Sequence, residues 1–170
     1  YDIRYMDEDG TQKHPYILHC SPSGAIERDI YGILEREAMR LQKDKTYKPR
    51  LPLWLAPTQV RIIPVSQDHV GFADEVRGMF EKVRVDIDDR DETVGKKIRD
   101  AEKEWVPYII VVGEREQGKE RLPVRVRGEK DTQSMTVSEL QDMIHAETRG
   151  KPYRPVPEPV YLQDRPKFVG

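Results

Sequence analysis

Apolar positions recur along this chain in changing rhythms, and the changes mark its elements. Tyr1, Ile3 and Tyr5 alternate with polar residues, Asp9-Gly10 supplies a turn dipeptide, and Tyr16 to His19 reads as the returning strand of a hairpin. Ile26, Ile30, Ile33 and Leu34 then follow helical spacing, which predicts a helix from about Ala25 to Leu41 with those side chains buried. Periodicity is lost over 42–53, where lysine, proline and charge dominate. From Trp54 strand and helix patterns alternate: strands over Gln59–Val65, Val83–Ile87, Tyr108–Val112 and Leu122–Val126, and helices over Val70–Lys82, Val94–Trp105 and Val137–Glu147. Thr136 and Glu139 carry the spacing of a capping box for the last helix. Residues 150–170 hold five prolines and no period, so they form an extended tail that drapes over a surface or stays disordered. The pattern is that of a small α/β sheet with helices on its faces, preceded by a hairpin and a helix.

Composition narrows the classes. The 170 residues are 36% hydrophobic and 35% charged, enough for one or two small domains with modest cores. No apolar run approaches a membrane span and no secretory core is visible, so the expected compartment is the cytoplasm, with no membrane partner. Cys20 is the one cysteine, which excludes an intramolecular disulfide and an all-cysteine metal site. A net charge of −2 argues against coating nucleic acid by bulk charge, so an RNA contact requires a local patch or base-reading groups. The chain opens at Tyr1 inside a strand-like pattern, as a piece of a longer polypeptide does.

The run Pro15–Glu35 joins a β-prone segment, the small residues Ser21 to Gly24, and Glu27-Arg28 at the start of an amphipathic helix. Arg28 sits in the first helical turn, beside backbone N–H groups with no partner in the helix, where an anionic ligand is favoured. On residue type alone, Arg28 is equally a surface ion-pair partner of Asp29 or Glu35. His19 is a metal ligand, a base or a satisfied structural histidine. Gly95 followed by Lys96, Lys97 and Arg99 opens a helix without a flanking glycine-rich loop, so a P-loop is not indicated. Trp105 precedes an apolar strand and reads as packing, with base stacking as the alternative.

The run Pro15–Glu35 resembles motif 3 of class II aminoacyl-tRNA synthetases, the nine-residue spacing of His19 and Arg28 resembles the threonyl-tRNA synthetases, and the wording H-C-S-P-S-G-A-I-E-R resembles their archaeal branch. Further blocks resemble that family's anticodon-binding domain in the same order: W-L-A-P-T-Q-V-R-I-I-P-V from Trp54, D-R-D-E-T-V-G-K-K-I-R from Asp89, V-P-Y-I-I-V-V-G from Val106 and V-R-V-R-G-E-K-D-T-Q-S-M from Val124.

The resemblance implies the end of a class II antiparallel-sheet catalytic domain over 1–45, a linker over 46–53, a mixed-sheet α/β anticodon-binding domain over 54–148 and a proline-rich tail over 149–170. It implies that Arg28 is catalytic, stacking on adenine and reaching the ATP phosphates, with Gly24 allowing close approach. His19 is implied as one of three protein ligands to zinc (Zn2+), the other two lying outside this chain, with magnesium (Mg2+) organising the triphosphate. Arg90, Asp91, Glu116 and Arg125 are implied at or near the anticodon. Asp91 departs from the asparagine common in the family. Lys96, Lys97 and Arg99 are implied on the tRNA backbone. The implied parent is a homodimeric threonine–tRNA ligase that joins threonine to tRNA(Thr) at the expense of ATP, of which this segment, lacking motifs 1 and 2, is inactive alone. The alternatives are a non-catalytic tRNA-binding anticodon-domain module and an α/β interaction domain with no RNA role.

Overall fold

The computed structural model of the chain describes residues 2–21 and 24–166. The chain divides into two compact units, Tyr1–Arg36 and Glu37–Gly170.

The first unit opens with a hairpin of β1 (Tyr5–Met6) and β2 (Gln12–Lys13), paired antiparallel with Tyr5 opposite Lys13. The Asp9-Gly10 turn forms as expected: Gly10 takes φ +77°, its N–H donates to the Asp7 carbonyl at 2.9 Å, and Asp9 accepts from both the backbone and the hydroxyl of Thr11. The returning strand expected at Tyr16–His19 is corrected. That stretch forms no strand, and Tyr16 is fully exposed. Extended backbone becomes a strand only beside a partner, and no described segment pairs with it.

Helix α1 (Ile26–Lys43) begins and ends close to the expected bounds and carries the boundary between the units. Its expected burial is also corrected: Ile26, Ile30 and Leu34 are exposed at 75%, 52% and 45%, and Ile33 is only partly buried. The buried side chain is Glu37, whose carboxylate accepts from the Tyr47 hydroxyl at 2.6 Å, from Arg40 at 3.1 Å and from the Arg50 backbone N–H at 3.1 Å. A buried carboxylate requires such partners.

The second unit is built on a five-stranded sheet of order β4-β3-β5-β6-β7, with β3 (Val60–Pro64), β4 (Val85–Ile87) and β5 (Tyr108–Val112) parallel, and β6 (Arg121–Val126) and β7 (Thr132–Thr136) antiparallel. The parallel strands are almost continuously apolar because helices cover both their faces. On one side Val60, Ile62, Ile110, Leu122 and Val124 pack with residues of α2 (Val70–Gly78) and α4 (Val137–Glu147). On the other, Ile63 and Ile109 pack with Ala101 of α3 (Val94–Lys103) and with Val106. The capping box at α4 is present, Thr136 Oγ1 accepting from the Glu139 N–H at 3.1 Å and Glu139 Oε2 from the Thr136 N–H at 2.9 Å.

Strand β7 has no apolar alternation in the sequence and was not expected. It forms because its polar residues complete the ladder of β6, with only Met135 buried, opposite Leu122. The tail drapes rather than dangling as far as residue 166. The Ile87 N–H donates to the Val160 carbonyl at 3.0 Å, Leu162 is buried, and the Gln163 N–H donates to Asp89 at 3.1 Å, so the tail covers the free edge of β4.

An ionic network fastens this edge. Arg61, fully buried, donates to Asp86 from Nε at 2.8 Å and Nη2 at 2.9 Å, and reaches Glu104 at 2.7 Å. Asp86 also accepts from the Thr58 hydroxyl at 2.8 Å and lies 3.0 Å from Arg165 of the tail. Burial disfavours the charge on Arg61, but hydrogen bonds and charge from Asp86 and Glu104 outweigh it and hold the pKa above the ordinary arginine value.

Candidate nucleic-acid interface

The helix-covered part of the sheet stops at β5 on the α3 side, and β6 alternates accordingly. Leu122 and Val124 point into the core, whereas Arg121 and Arg125 are exposed on the opposite face and Pro123 is half-buried. Across the ladder they meet Thr136, Ser134 and Thr132: Arg121 faces Thr136, Pro123 faces Ser134 and Arg125 faces Thr132. The result is an open patch of cationic and hydroxyl side chains.

Two adjoining clefts of about 490 Å3 each share Thr132 at this face. Arg125 and Glu102 line one of them, over Val106 and Ile109. Glu116 lines the other beside Arg121 and Pro123. Glu116 is held by the turn that ends β5: its Oε2 accepts from the Gly113 N–H at 3.0 Å, leaving the other oxygen without a partner among the described residues. Arg121 is anchored, donating to the Ser134 carbonyl at 2.6 Å and to Glu139 at 3.0 Å. Its guanidinium and, more strongly, the Thr136 N–H draw the Glu139 pKa below the ordinary value. Arg125 keeps its fork largely uncommitted, its Nη2 lying 3.8 Å from Glu102.

The other residues implied for RNA lie elsewhere. Arg90 is half-buried and chelates the buried Asp88 from Nε at 2.8 Å and Nη2 at 2.7 Å, with Asp100 at 3.3 Å, so most of its fork is engaged within the protein. Hydrogen bonding to Asp88, against some desolvation, raises its pKa. Asp91 and Arg99 are exposed and Lys96 pairs with Glu92 along α3; none of the three lines either cleft. Lys97 is a correction. It is 3% exposed, with its ammonium 3.4 Å from the Pro64 carbonyl, so it supports the end of β3 instead of facing a phosphate backbone. Trp105 adopts φ +59° at the end of α3, with Arg127 about 6.0 Å above its ring. Arg127 donates to the Pro49 and Glu102 carbonyls, which holds its guanidinium near the half-buried Trp105 ring.

In the first unit, Gly24 adopts φ +83°, and a Cβ there would meet Arg28 Nη1 at 3.2 Å. The positive φ favours glycine at this position, and the guanidinium of Arg28 lies against it. Pro22 and Ser23 fall outside the described residues. His19 and Cys20 are exposed, and no three metal-ligating side chains gather among the described residues.

The sequence model of the anticodon binding domain family matches residues 59–147, which include the whole five-stranded sheet and the clefts' principal side chains. The chain belongs to this family. Across its length it is also similar to threonine–tRNA ligases: 49% identical to that of Methanosarcina mazei over 99% of the chain, 51% to that of Pyrococcus furiosus over 100%, and 53% to that of Methanothrix thermoacetophila over 99%. The chain spans 27% of the length of each of these relatives. Among solved structures, the RNA binding domain of threonyl-tRNA synthetase from Cryptosporidium parvum superposes with a TM-score of 0.52 at 27% identity, covering 58% of this chain and 25% of that one. Prolyl-tRNA synthetase from the same organism gives 0.51 at 33% identity, covering 58% and 22%.

Glu102, Arg121 and Thr132 were not singled out from the sequence. The signal available was the alternation of Arg121 and Arg125 with apolar residues, which assigns both arginines to one face.

Proposed function

We propose that residues 54–148 read the anticodon of tRNA(Thr), and that residues 1–45 complete the ATP-facing side of a threonine–tRNA ligase to which this chain belongs. The observation that carries the reading is the uncovered face of β6 and β7, which presents Arg125 and Glu116 at adjoining clefts within the family-matched residues. A fork of donors and a carboxylate acceptor are complementary to base edges, and neither is fully engaged within the protein.

The parent enzyme would join threonine to ATP, releasing pyrophosphate, and pass the activated threonyl group from the adenylate to the terminal adenosine of tRNA, releasing AMP. It would act as a cytoplasmic homodimer. In this chain Arg28 would hold the adenine and triphosphate, as a planar cation beside a helix N-terminus does well, and Gly24 would leave room for the nucleotide. Magnesium would accompany the triphosphate. The exposed Ile26, Ile30 and Leu34 support a first unit that packs against further polypeptide. His19 would offer one imidazole to zinc, and the described residues do not make a zinc site by themselves.

The test is binding of this chain to tRNA(Thr) and to the same tRNA with altered anticodon bases, across a salt series. By analogy with protein–DNA readout, each altered base should cost about 1–3 kcal/mol. Equal affinity for the two RNAs at every salt concentration would overturn the reading.

A further inference from the structure

A third cleft, of about 360 Å3, opens at the end of the sheet where the parallel strands begin, opposite the Glu116 turn that follows β5. Arg84, immediately before β4, lines it and is only 8% exposed. Its Nε donates to the Ala56 carbonyl at 2.8 Å and its Nη2 to the Trp54 and Leu53 carbonyls at 2.9 and 3.2 Å, while the Gln59 amide oxygen accepts from its backbone N–H at 2.9 Å. Those partners are all neutral. Nη1 has no hydrogen-bond partner among the described residues and is not sealed from solvent. Burial draws the Arg84 pKa below the ordinary arginine value, against the opposing influence of Tyr153, as befits a cation without a countercharge. The rim adds charge of the same sign. Lys82 and Lys151 line the cleft, both exposed and outside any ion pair among the described residues, against one carboxylate, Glu81. Lys82 holds φ +52°, a left-handed conformation that strains a non-glycine residue. Two aromatic rings complete the lining: Trp54, with the Lys151 ammonium 5.6 Å from its centroid, and Tyr153, 43% exposed.

We propose that this cleft binds a small organic phosphate carrying a planar ring, the chemical class of a mononucleotide, at a site separate from the RNA-facing clefts and independent of anticodon reading. Three cations, Lys82, Arg84 and Lys151, against the single carboxylate of Glu81 leave an excess of two positive charges. A phosphate monoester, close to a dianion at neutral pH, balances that excess, and a lone carboxylate does not. Arg84 supplies a directed donor through Nη1, and the lysines supply point charges at the rim. Charge alone would serve any anion. The ring is selected by Tyr153, whose half-exposed face takes a planar heterocycle by stacking. The volume falls at the lower end of the range of about 300–1,000 Å3 that holds small-molecule ligands.

The test is calorimetric titration of the full chain with AMP, with adenosine and inorganic phosphate as the two halves of the probe. AMP should bind saturably, and each half at least about 10-fold more weakly, the scale of one charge-assisted hydrogen bond or one stacked base. Lys82→Gly relieves the left-handed strain, so it keeps the fold while removing a rim charge, and it should weaken AMP about 10-fold. Tyr153→Ala should weaken AMP by a similar factor and leave inorganic phosphate unchanged, a split that a merely structural role would not give. Lys45→Ala, at an exposed lysine outside the cleft, should change neither. Absence of saturable AMP binding at millimolar concentration overturns the proposal, as does AMP binding indifferent to either Lys82→Gly or Tyr153→Ala. If Lys82→Gly weakens tRNA binding as much as AMP binding, the cleft is a backbone contact for RNA and the small-molecule reading falls. Anticodon discrimination by the unaltered chain stands or falls separately.

Discussion

Replacing Asp86 by alanine should be the most damaging single change in the second unit, and the cause is electrostatic. Asp86 is fully buried and takes two hydrogen bonds from Arg61, at 2.8 and 2.9 Å, one from Thr58 at 2.8 Å, and the charge of Arg165 at 3.0 Å. Without it, the guanidinium of Arg61 stays at zero exposure with Glu104 as its remaining anion, and one of its nitrogens, Nη1, already has no hydrogen-bond partner. Removing one member of a buried pair costs about 3–5 kcal/mol, a large part of the roughly 5–15 kcal/mol that holds a domain folded. For a unit of this size that corresponds to a fall in Tm of about 10–20 °C. The assay is urea unfolding followed by circular dichroism, which should show a lower midpoint with little change in slope. Glu104→Ala should cost less than about 1 kcal/mol, because Glu104 is half-exposed and Asp86 still pairs Arg61. An apolar double variant, Arg61→Met with Asp86→Leu, should recover most of the loss, since the fully buried pair is removed together and Arg165 keeps Glu158 at 3.4 Å. A cost below about 1 kcal/mol for Asp86→Ala, or a double variant as unstable as the single one, would refute the reasoning.

Three further outcomes are expected. Thr136→Ala should lose about 1 kcal/mol of stability through the N-cap of α4; the companion Glu139 has its carboxylate pKa lowered by the Thr136 N–H and Arg121, so its contribution is complete above the unfolded-state carboxylate pKa and disappears as pH falls through the lower folded value, where wild type and Glu139→Gln should converge in acid unfolding. Leu162→Ala should cost about 2–4 kcal/mol and make the tail a site of early proteolysis, because Leu162 is the buried anchor of the segment along β4. Lys97→Met should leave the salt dependence of tRNA binding unchanged, as befits a buried amine, whereas Arg99→Ala should reduce the slope by about 1 if that exposed cation meets a phosphate.

Much of the second unit was written in local pattern. The apolar run Tyr108–Val112 became a central strand with its expected ends, because a run that apolar is stable only where both faces of a sheet are covered, and the Thr136/Glu139 spacing became a capping box, because that motif depends on neighbours within a few residues. The ordered motifs also identified the family, since they record the chemistry of a shared surface. Three things depended on contacts between distant residues. Strand β7 exists through its ladder to β6 and not through its own polar sequence. The stretch Tyr16–His19 has strand composition but no described partner, and so no ladder. Lys97, one residue from the half-exposed Lys96, turned out to be buried on Pro64, while Arg90 closed on Asp88 and Arg125 remained open beside Glu102. A charged residue's type states what it can bind. Whether it faces a partner within the protein or a ligand is decided by the groups that folding brings to it, two residues away for Arg90 and Asp88 but far along the chain for Lys97 and Pro64 and for Arg125 and Glu102.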